Sequence, residues 1–202
     1  TLIVGNFVGT QALAAVGATS SFVQLLVGLF VGLCSGAGVI IAQSFGAGDH
    51  DEVNRQVHTA LALAIAGGAA LTVIGLLISR PVLRLMQTPD EIVGMASEYL
   101  QIYFLGMIPQ MIYNMGTNIL RAVGDSKRPL YFLIVASIVN IVLDIVLVAV
   151  IPLGVAGAAI ATVASQLLSG ILCTWWFFAR VEDIHFTCEN LKFSAPHCKR
   201  LA

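Results

Sequence analysis

Charged residues are scarce in this sequence. Asp, Glu, Lys and Arg make up only 10% of its 202 residues, whereas 58% are hydrophobic; soluble domains carry about 25% charged residues. This composition excludes an ordinary soluble domain and predicts an all-α, polytopic membrane helix bundle in contact with the lipid bilayer. With ten basic residues and a net charge of −1, the sequence offers no basic surface of the kind that binds nucleic acid.

Cysteine is also rare, with only four residues, which are too few for a disulfide framework. Two of them lie in apolar runs, and the other two lie beside histidines in the polar tail at His185, Cys188, His197 and Cys198. These spacings match no regular zinc pattern, and that segment is more typical of a solvated linker. We therefore predict no transition metal, no cofactor and no enzymatic activity.

Long apolar runs dominate the rest of the chain. Residues 1–9 are too short to cross a bilayer, which needs about 20 residues, so they are interpreted as the end of a first helix. No Asp, Glu, Lys or Arg precedes Asp49, so a signal peptide's basic start is missing. Five full spans are predicted: one from a turn near residues 10–11 to about residue 45, then about 57–79, 92–121, 130–151 and 155–178. Pro109 should kink the third of these because it lacks an N–H group.

Basic residues are distributed unevenly over the connections between these spans. If the connections alternate sides, one side holds eight of the ten, namely Arg55, Arg121, Lys127, Arg128, Arg180, Lys192, Lys199 and Arg200. The other side holds only Arg80 and Arg84. The positive-inside rule then makes the first side cytoplasmic, including the tail after Arg180.

Asp144 is the only charged residue between Pro129 and Ala179. A carboxylate at bilayer depth costs roughly 2.5–3.5 kcal/mol on insertion scales, so it normally faces a bundle interior or a wet cavity. Asn140 lies four residues earlier, on the same helix face. The pair could bind a small cation or a proton, although a structural carboxylate satisfied by neighbouring donors is the alternative.

Several motifs resemble those of one transporter family, the multidrug and toxic compound extrusion (MATE) transporters. The order and spacing of the motifs carry the resemblance, which extends over residues 1–180. The motifs are QALAAVG at 11–17, SGAGVIIAQ at 35–43 with GAGD at 46–49, LRAVGD at 120–125 with Pro129, NIVLD at 140–144 and GVAGAAIAT at 154–162.

The resemblance implies a fold of twelve helices in two lobes of six around a central cavity. Residues 1–180 would then form the N-terminal lobe, with its first helix truncated, and residues 181–202 would begin the cytoplasmic linker to a missing C-terminal lobe. The implied function is secondary antiport in the cell membrane. Small organic, often cationic, compounds would leave in exchange for Na⁺ or H⁺.

The resemblance also implies a cation site in this lobe. The fifth-helix pair maps onto Asn140 and Asp144, and the sixth-helix Thr maps onto Thr162. The fourth-helix Asn maps onto Asn118, with Asn114 one turn away as the other candidate. The first-helix acid would fall just before Thr1.

Two other functions remain open from the sequence. A lipid-linked saccharide flippase of related fold would need Arg or Lys in its cavity to bind pyrophosphate, yet no Lys or Arg falls inside a predicted span, Arg121 marking the end of one. A non-transporting membrane scaffold or an inert fragment is the second alternative. A six-span continuation beyond Ala202, with an acid before Thr1, would argue against it.

Two helical patterns have both a packing and a functional interpretation. Tyr103, Met107, Met111 and Met115 could line an apolar substrate path, because Met adapts to varied shapes, or could be ordinary packing residues. Small residues repeat every four positions at Gly28, Gly32 and Gly36, and again at Gly157, Ala161, Ser165 and Ser169. For these repeats, close helix packing is the favoured interpretation.

Overall fold

The computed structural model describes residues 10–180, and every regular element in that part of the chain is helical. The predicted helix end at 1–9 and the predicted linker at 181–202, with the tail's His and Cys residues, lie outside the described residues. The helices are α1 (Thr10–Gly46), α2 (His50–Leu85), α3 (Asp90–Leu105), α4 (Met107–Ala122), α5 (Lys127–Asp144) and α6 (Gly154–Arg180). A π-helical stretch, Ile145–Val150, continues α5.

Four of the described helices are long and apolar enough to cross a membrane: α1, α2, α5 with its π-helical stretch, and α6. Helices α3 and α4 have 16 residues each, fewer than the roughly 20 that a crossing needs. They follow one another with only Gly106 between them. The predicted membrane helix bundle is confirmed, while the count of five full spans stays a prediction.

The break between α3 and α4 confirms the predicted interruption, but it falls at Gly106, three residues before Pro109. Proline at position i removes the hydrogen bond to the carbonyl of residue i−4 and clashes with that carbonyl, so the disturbance lies upstream of the ring. The Thr72 hydroxyl of α2 lies 2.9 Å from the Phe104 carbonyl oxygen, next to the break. The same hydroxyl also lies 2.9 Å from the Gly68 carbonyl oxygen of α2, so its single proton can go to either carbonyl.

Helix α2 is longer than the sequence pattern indicates. It begins directly after Asp49, whose side chain accepts a hydrogen bond from the Glu52 N–H group at 3.0 Å, an N-cap. It continues past the predicted end at residue 79 and through Pro81 to Leu85. The segment from Arg80 to Arg84, which was predicted to lie in a connection between spans, therefore belongs to the end of this helix.

Helix α4 lies at the centre of the bundle, where it packs against α1, α2 and α6. The main core lies among α1 to α4, and its largest fully buried members include Ile41, Leu71, Leu83, Leu100, Phe104, Met107, Met111, Met115 and Ile119. Helix α5 packs mainly on α6, and much of its surface consists of exposed Leu, Ile and Val. This exposed apolar surface suits contact with lipid.

The two small-residue repeats differ in their surroundings. A Cβ atom built on Gly28, Gly32 or Gly36 would meet no atom within 4 Å, so within the described chain this face of α1 has no close neighbour. On α6, a Cβ atom on Gly157 would lie 2.8 Å from the Leu147 carbonyl oxygen. Close packing therefore accounts for Gly157 but not for the α1 glycines.

Candidate cation and substrate site

A polar cavity of about 440 Å³ lies between α4, α5 and α6. Two of the residues predicted for a cation site, Asn140 and Thr162, line it together. The full lining is Gln110, Tyr113, Leu133, Ala136, Ser137, Asn140, Ile141, Thr162, Ser165, Gln166 and Ser169. No Asp, Glu, Lys or Arg is among these residues, so the polar wall is formally uncharged.

Helix periodicity explains which residues face the cavity. On α5, Ser137 and Asn140 are three apart, and on α6, Thr162, Ser165 and Ser169 are three and four apart. Residues at these spacings share one helix face. Each of the two helices thus contributes a polar stripe from a sequence that is otherwise apolar.

Asp144 lies one turn beyond Asn140, at the junction where α5 passes into the π-helical stretch. It is half-buried, and its Oδ1 atom is buried without a hydrogen-bond partner in the described structure. The two ion pairs of the described residues, Arg55 with Glu52 and Arg128 with Asp125, do not include it. Asp144 is not among the cavity-lining residues, so the structure places it beside the cavity's α5 wall.

Two tyrosines of α3 lie near these groups. Tyr99 is close enough to interact electrostatically with Asp144. Its ring stacks on that of Tyr103, with 6.0 Å between the ring centroids. Tyr103 in turn interacts with the side chain of Gln166, which lines the cavity. The α3 aromatic pair therefore lies in the same region as Asp144 and the cavity residue Gln166.

Asn118 is not brought to this cavity. Its side-chain amide donates to the Asn114 carbonyl oxygen at 2.9 Å, and its Cβ would lie 3.2 Å from a Cβ atom built on Gly38 of α1. Pro109 and Gly170 are neighbours where α4 meets α6. Asn118 lies nine residues past Pro109, toward the end of α4, and Thr162 lies eight residues before Gly170, toward the start of α6. Since the two helices run side by side in the same direction, Asn118 and Thr162 are about 25 Å apart along the axis at 1.5 Å per residue. Asn114, the other candidate, is only one turn closer.

The amide that α4 does contribute is Gln110, immediately after Pro109. Sequence reasoning missed it, together with Ser165, Gln166 and Ser169 as cavity residues. The available signal was the presence of polar side chains inside predicted spans. That signal alone does not tell which of several polar residues on neighbouring helices lie at the same depth.

The methionine stripe lies in the core. Met107, Met111 and Met115 are at most 1% exposed, and they belong to the core cluster among α1 to α4. Tyr103 is half-buried and packs against that cluster. None of the four lines the polar cavity, so among the described residues they make packing contacts, and the substrate-path interpretation stays a prediction.

The chemistry of the site follows from its atoms. Asp144 offers a carboxylate, Asn140 offers an amide oxygen and Thr162 offers a hydroxyl oxygen, all of them ligands that hard cations such as Na⁺ prefer. The carboxylate is the group that can also take a proton. The arrangement can therefore serve a small cation or a proton beside a cavity large enough for an organic molecule.

Comparisons with known proteins agree with these features. The MatE family model matches residues 1–146. The "Probable multidrug resistance protein YoeA" of Bacillus subtilis (strain 168) is 33% identical over 189 residues, which cover 92% of this chain and 41% of that protein.

Two solved structures of a multidrug resistance MATE family transporter of the MOP superfamily have a similar fold. For the inward-facing conformation the TM-score is 0.91 at 28% identity, covering 98% of this chain and 46% of the other. For the outward-facing conformation the TM-score is also 0.91 at 28% identity, covering 99% and 44%. The chain spans less than half the length of these relatives.

Proposed function

Because the chain belongs to the MatE family, the multidrug and toxic compound extrusion transporters, we propose that the protein exports small organic compounds, cationic ones among them, in exchange for Na⁺ or H⁺. This chain would supply the lobe that binds the coupling ion. The observation that carries the proposal is the placing of Asn140 and Thr162 on one polar cavity, with Asp144 one helical turn away and its Oδ1 atom buried without a hydrogen-bond partner among the described residues.

Binding of the ion would lower the free-energy cost of burying the Asp144 carboxylate. An unpaired carboxylate away from water is costly, and a bound cation or proton removes that cost. Loading from outside would favour the state that releases the substrate, and return of the ion inward would reset the lobe. Asn140 and Thr162 would supply the neutral oxygens around the ion.

The membrane potential limits which exchanges of ion for substrate can drive export. Moving one charge across 100 mV is worth about 2.3 kcal/mol. One inbound ion exchanged for one outbound monovalent cation is electrically neutral, so the concentration gradient of the ion must drive it. Export against the voltage would need more ions or an uncharged substrate.

A rigid lobe fits alternating access. The fold matches the inward-facing and the outward-facing relative equally well, with a TM-score of 0.91 for each. Transport by rocking of whole lobes requires this property. We infer that a second lobe completes the transport path, that the protein lies in the cell membrane, and that the tail after Arg180 is cytoplasmic.

The two alternatives gain no support from the site. The polar cavity has no Lys or Arg in its lining, whereas a flippase for pyrophosphate-linked saccharides would need such residues. A scaffold has no need for a half-buried carboxylate beside a polar cavity, because such a group is costly to maintain in a membrane.

The test is the Asp144→Asn substitution in the full-length gene product, reconstituted in liposomes with a fluorescent organic cation. A Na⁺ gradient at fixed pH and a pH gradient at fixed Na⁺ are applied in separate arms, which identify the coupling ion. The variant should lose the gradient-driven export in whichever arm the wild-type protein shows it, while its membrane insertion stays normal. Glu98→Gln, which removes an exposed carboxylate of α3, is the control and should export normally. Undiminished export by Asp144→Asn would refute the proposal.

A further inference from the structure

Four of the five hydroxyl groups that line the polar cavity donate their proton to a backbone carbonyl, whereas the fifth, Ser137 of α5, makes no hydrogen bond among the described residues. On α6, each of them donates its proton to a backbone carbonyl of its own helix. The bonds run from Thr162 to the Ala158 oxygen at 2.9 Å, from Ser165 to the Thr162 oxygen at 2.7 Å and from Ser169 to the Gln166 oxygen at 2.9 Å. On α4, the Tyr113 hydroxyl donates to the Pro129 oxygen at 3.3 Å.

A hydroxyl group has one proton and two acceptor lone pairs. Since the proton of each of these four groups is already engaged, what remains for a ligand is the lone pairs. Ser165 and Ser169 are 7% and 4% exposed, so little water competes at those oxygens. The α6 wall is thus a surface that accepts hydrogen bonds and donates few.

The side-chain amides on the other two helices do not reverse the preference of the α6 wall for ligands that donate hydrogen bonds. Gln110 and Asn140 line the cavity, and neither side chain makes a hydrogen bond to another described residue. An amide can present either its oxygen or its NH₂ group to a ligand. The fixed part of the recognition therefore lies with the hydroxyl oxygens of α6.

We propose that this cavity selects cations that carry N–H donors, such as protonated amines, over quaternary ammonium ions of the same charge and similar size. The inference rests on the proposed function and goes further, because charge alone would not distinguish the two classes. An N–H group on a cation can donate to the Ser165 and Ser169 oxygens in a charge-assisted bond. A quaternary nitrogen has no proton to donate, so it leaves these oxygens unpaired.

The experiment compares a matched pair of ligands, protonated N,N-dimethylbenzylamine and benzyltrimethylammonium. Each is titrated against a bound fluorescent cation in the full-length protein in nanodiscs. The wild-type protein should bind the amine about tenfold more tightly, as expected for one hydrogen bond to a charged group. The double variant Ser165→Ala with Ser169→Ala should lose that preference by weakening the amine alone.

Binding of the quaternary ligand is the internal check that the double variant is folded. Ser79→Ala is the matched control, because the Ser79 hydroxyl also donates to a carbonyl three residues back, at Leu76, but lies on α2 away from the cavity. It should keep the wild-type preference. Equal affinity for both ligands in the wild-type protein, or equal loss of both in the double variant, would overturn the inference and leave the transport proposal standing. Failure of the wild-type protein to bind or export any organic cation would overturn both.

Discussion

The backbone of Leu147 lies directly against Gly157: a Cβ atom built on Gly157 would be 2.8 Å from the Leu147 carbonyl oxygen and 3.1 Å from its carbonyl carbon. Leu147 belongs to the π-helical stretch that begins immediately after Asp144. The contact holds the end of α5 against the start of α6. It therefore fixes the segment that carries the carboxylate.

Gly157→Ala should lower the stability of the protein. The added methyl group would meet backbone atoms, which cannot rotate away as a flexible side chain can, and such overpacking costs about 1–3 kcal/mol. The measurement is the apparent melting temperature in detergent. The control is Gly94→Ala on α3, where an added Cβ meets nothing within 4 Å and better helix propensity should leave stability unchanged or raised. Equal melting temperatures for the two variants would contradict the prediction.

Substitutions at Met111 test whether the methionine stripe forms the core or a substrate path. Met111 is 1% exposed within the main core. Met111→Ala should destabilise the protein by about 2–5 kcal/mol, because it leaves a cavity. Met111→Leu conserves volume, should cost under about 1.5 kcal/mol, and should leave the range of exported compounds unchanged. A changed range with unchanged stability in the Leu variant would instead support the path.

Arg128 attaches the first turn of α5 to α6. Its guanidinium carbon lies 4.3 Å from the centroid of the Trp176 ring, and the same group pairs with Asp125. A double-mutant cycle with Arg128→Met and Trp176→Leu should give a coupling free energy of about 0.5–1 kcal/mol, typical of an exposed cation–π contact. Lys127→Met, at the neighbouring exposed position, should show no coupling with Trp176→Leu. Additive effects of the Arg128 and Trp176 substitutions would argue against the contact.

Substitution by alanine should have different effects at Gly68 of α2 and at Gly32 of α1. A Cβ atom on Gly68 would lie 2.8 Å from the Ile108 Cα atom, whereas one on Gly32 meets nothing within 4 Å. Gly68→Ala should therefore lower the melting temperature of this chain in detergent, and Gly32→Ala should not. If the open α1 face contacts another part of the full-length protein, Gly32→Ala should become destabilising only there. A loss of stability for Gly32→Ala in this chain alone would show that its open face is occupied.

Some features of the site were within reach of sequence reasoning. The four-residue spacing of Asn140 and Asp144 predicted one helix face, and the lone acid in a long apolar run marked the region. Thr162 followed from the family resemblance, and it lines the same cavity as Asn140. Pro109 predicted an interruption, which the structure has at Gly106.

Other features were not within reach, because periodicity fixes which face a residue occupies but not its depth relative to other helices. Asn118 and Gln110 are both polar residues of α4, yet only Gln110 meets the cavity. The methionines had a spacing that suits a lined path as well as a core. Their burial depends on how α1, α2 and α3 pack around α4, and no local pattern contains that information.

The sequence by itself determined that this protein is a membrane protein and that its elements are helices, because hydrophobicity and helical periodicity are local properties of the chain. It also determined that a carboxylate and an amide lie together on one face of α5. Only the tertiary structure decided which polar residues of neighbouring helices line the same cavity, since the relative depth of two helices depends on close approaches such as that of Gly170 to the Pro109 backbone.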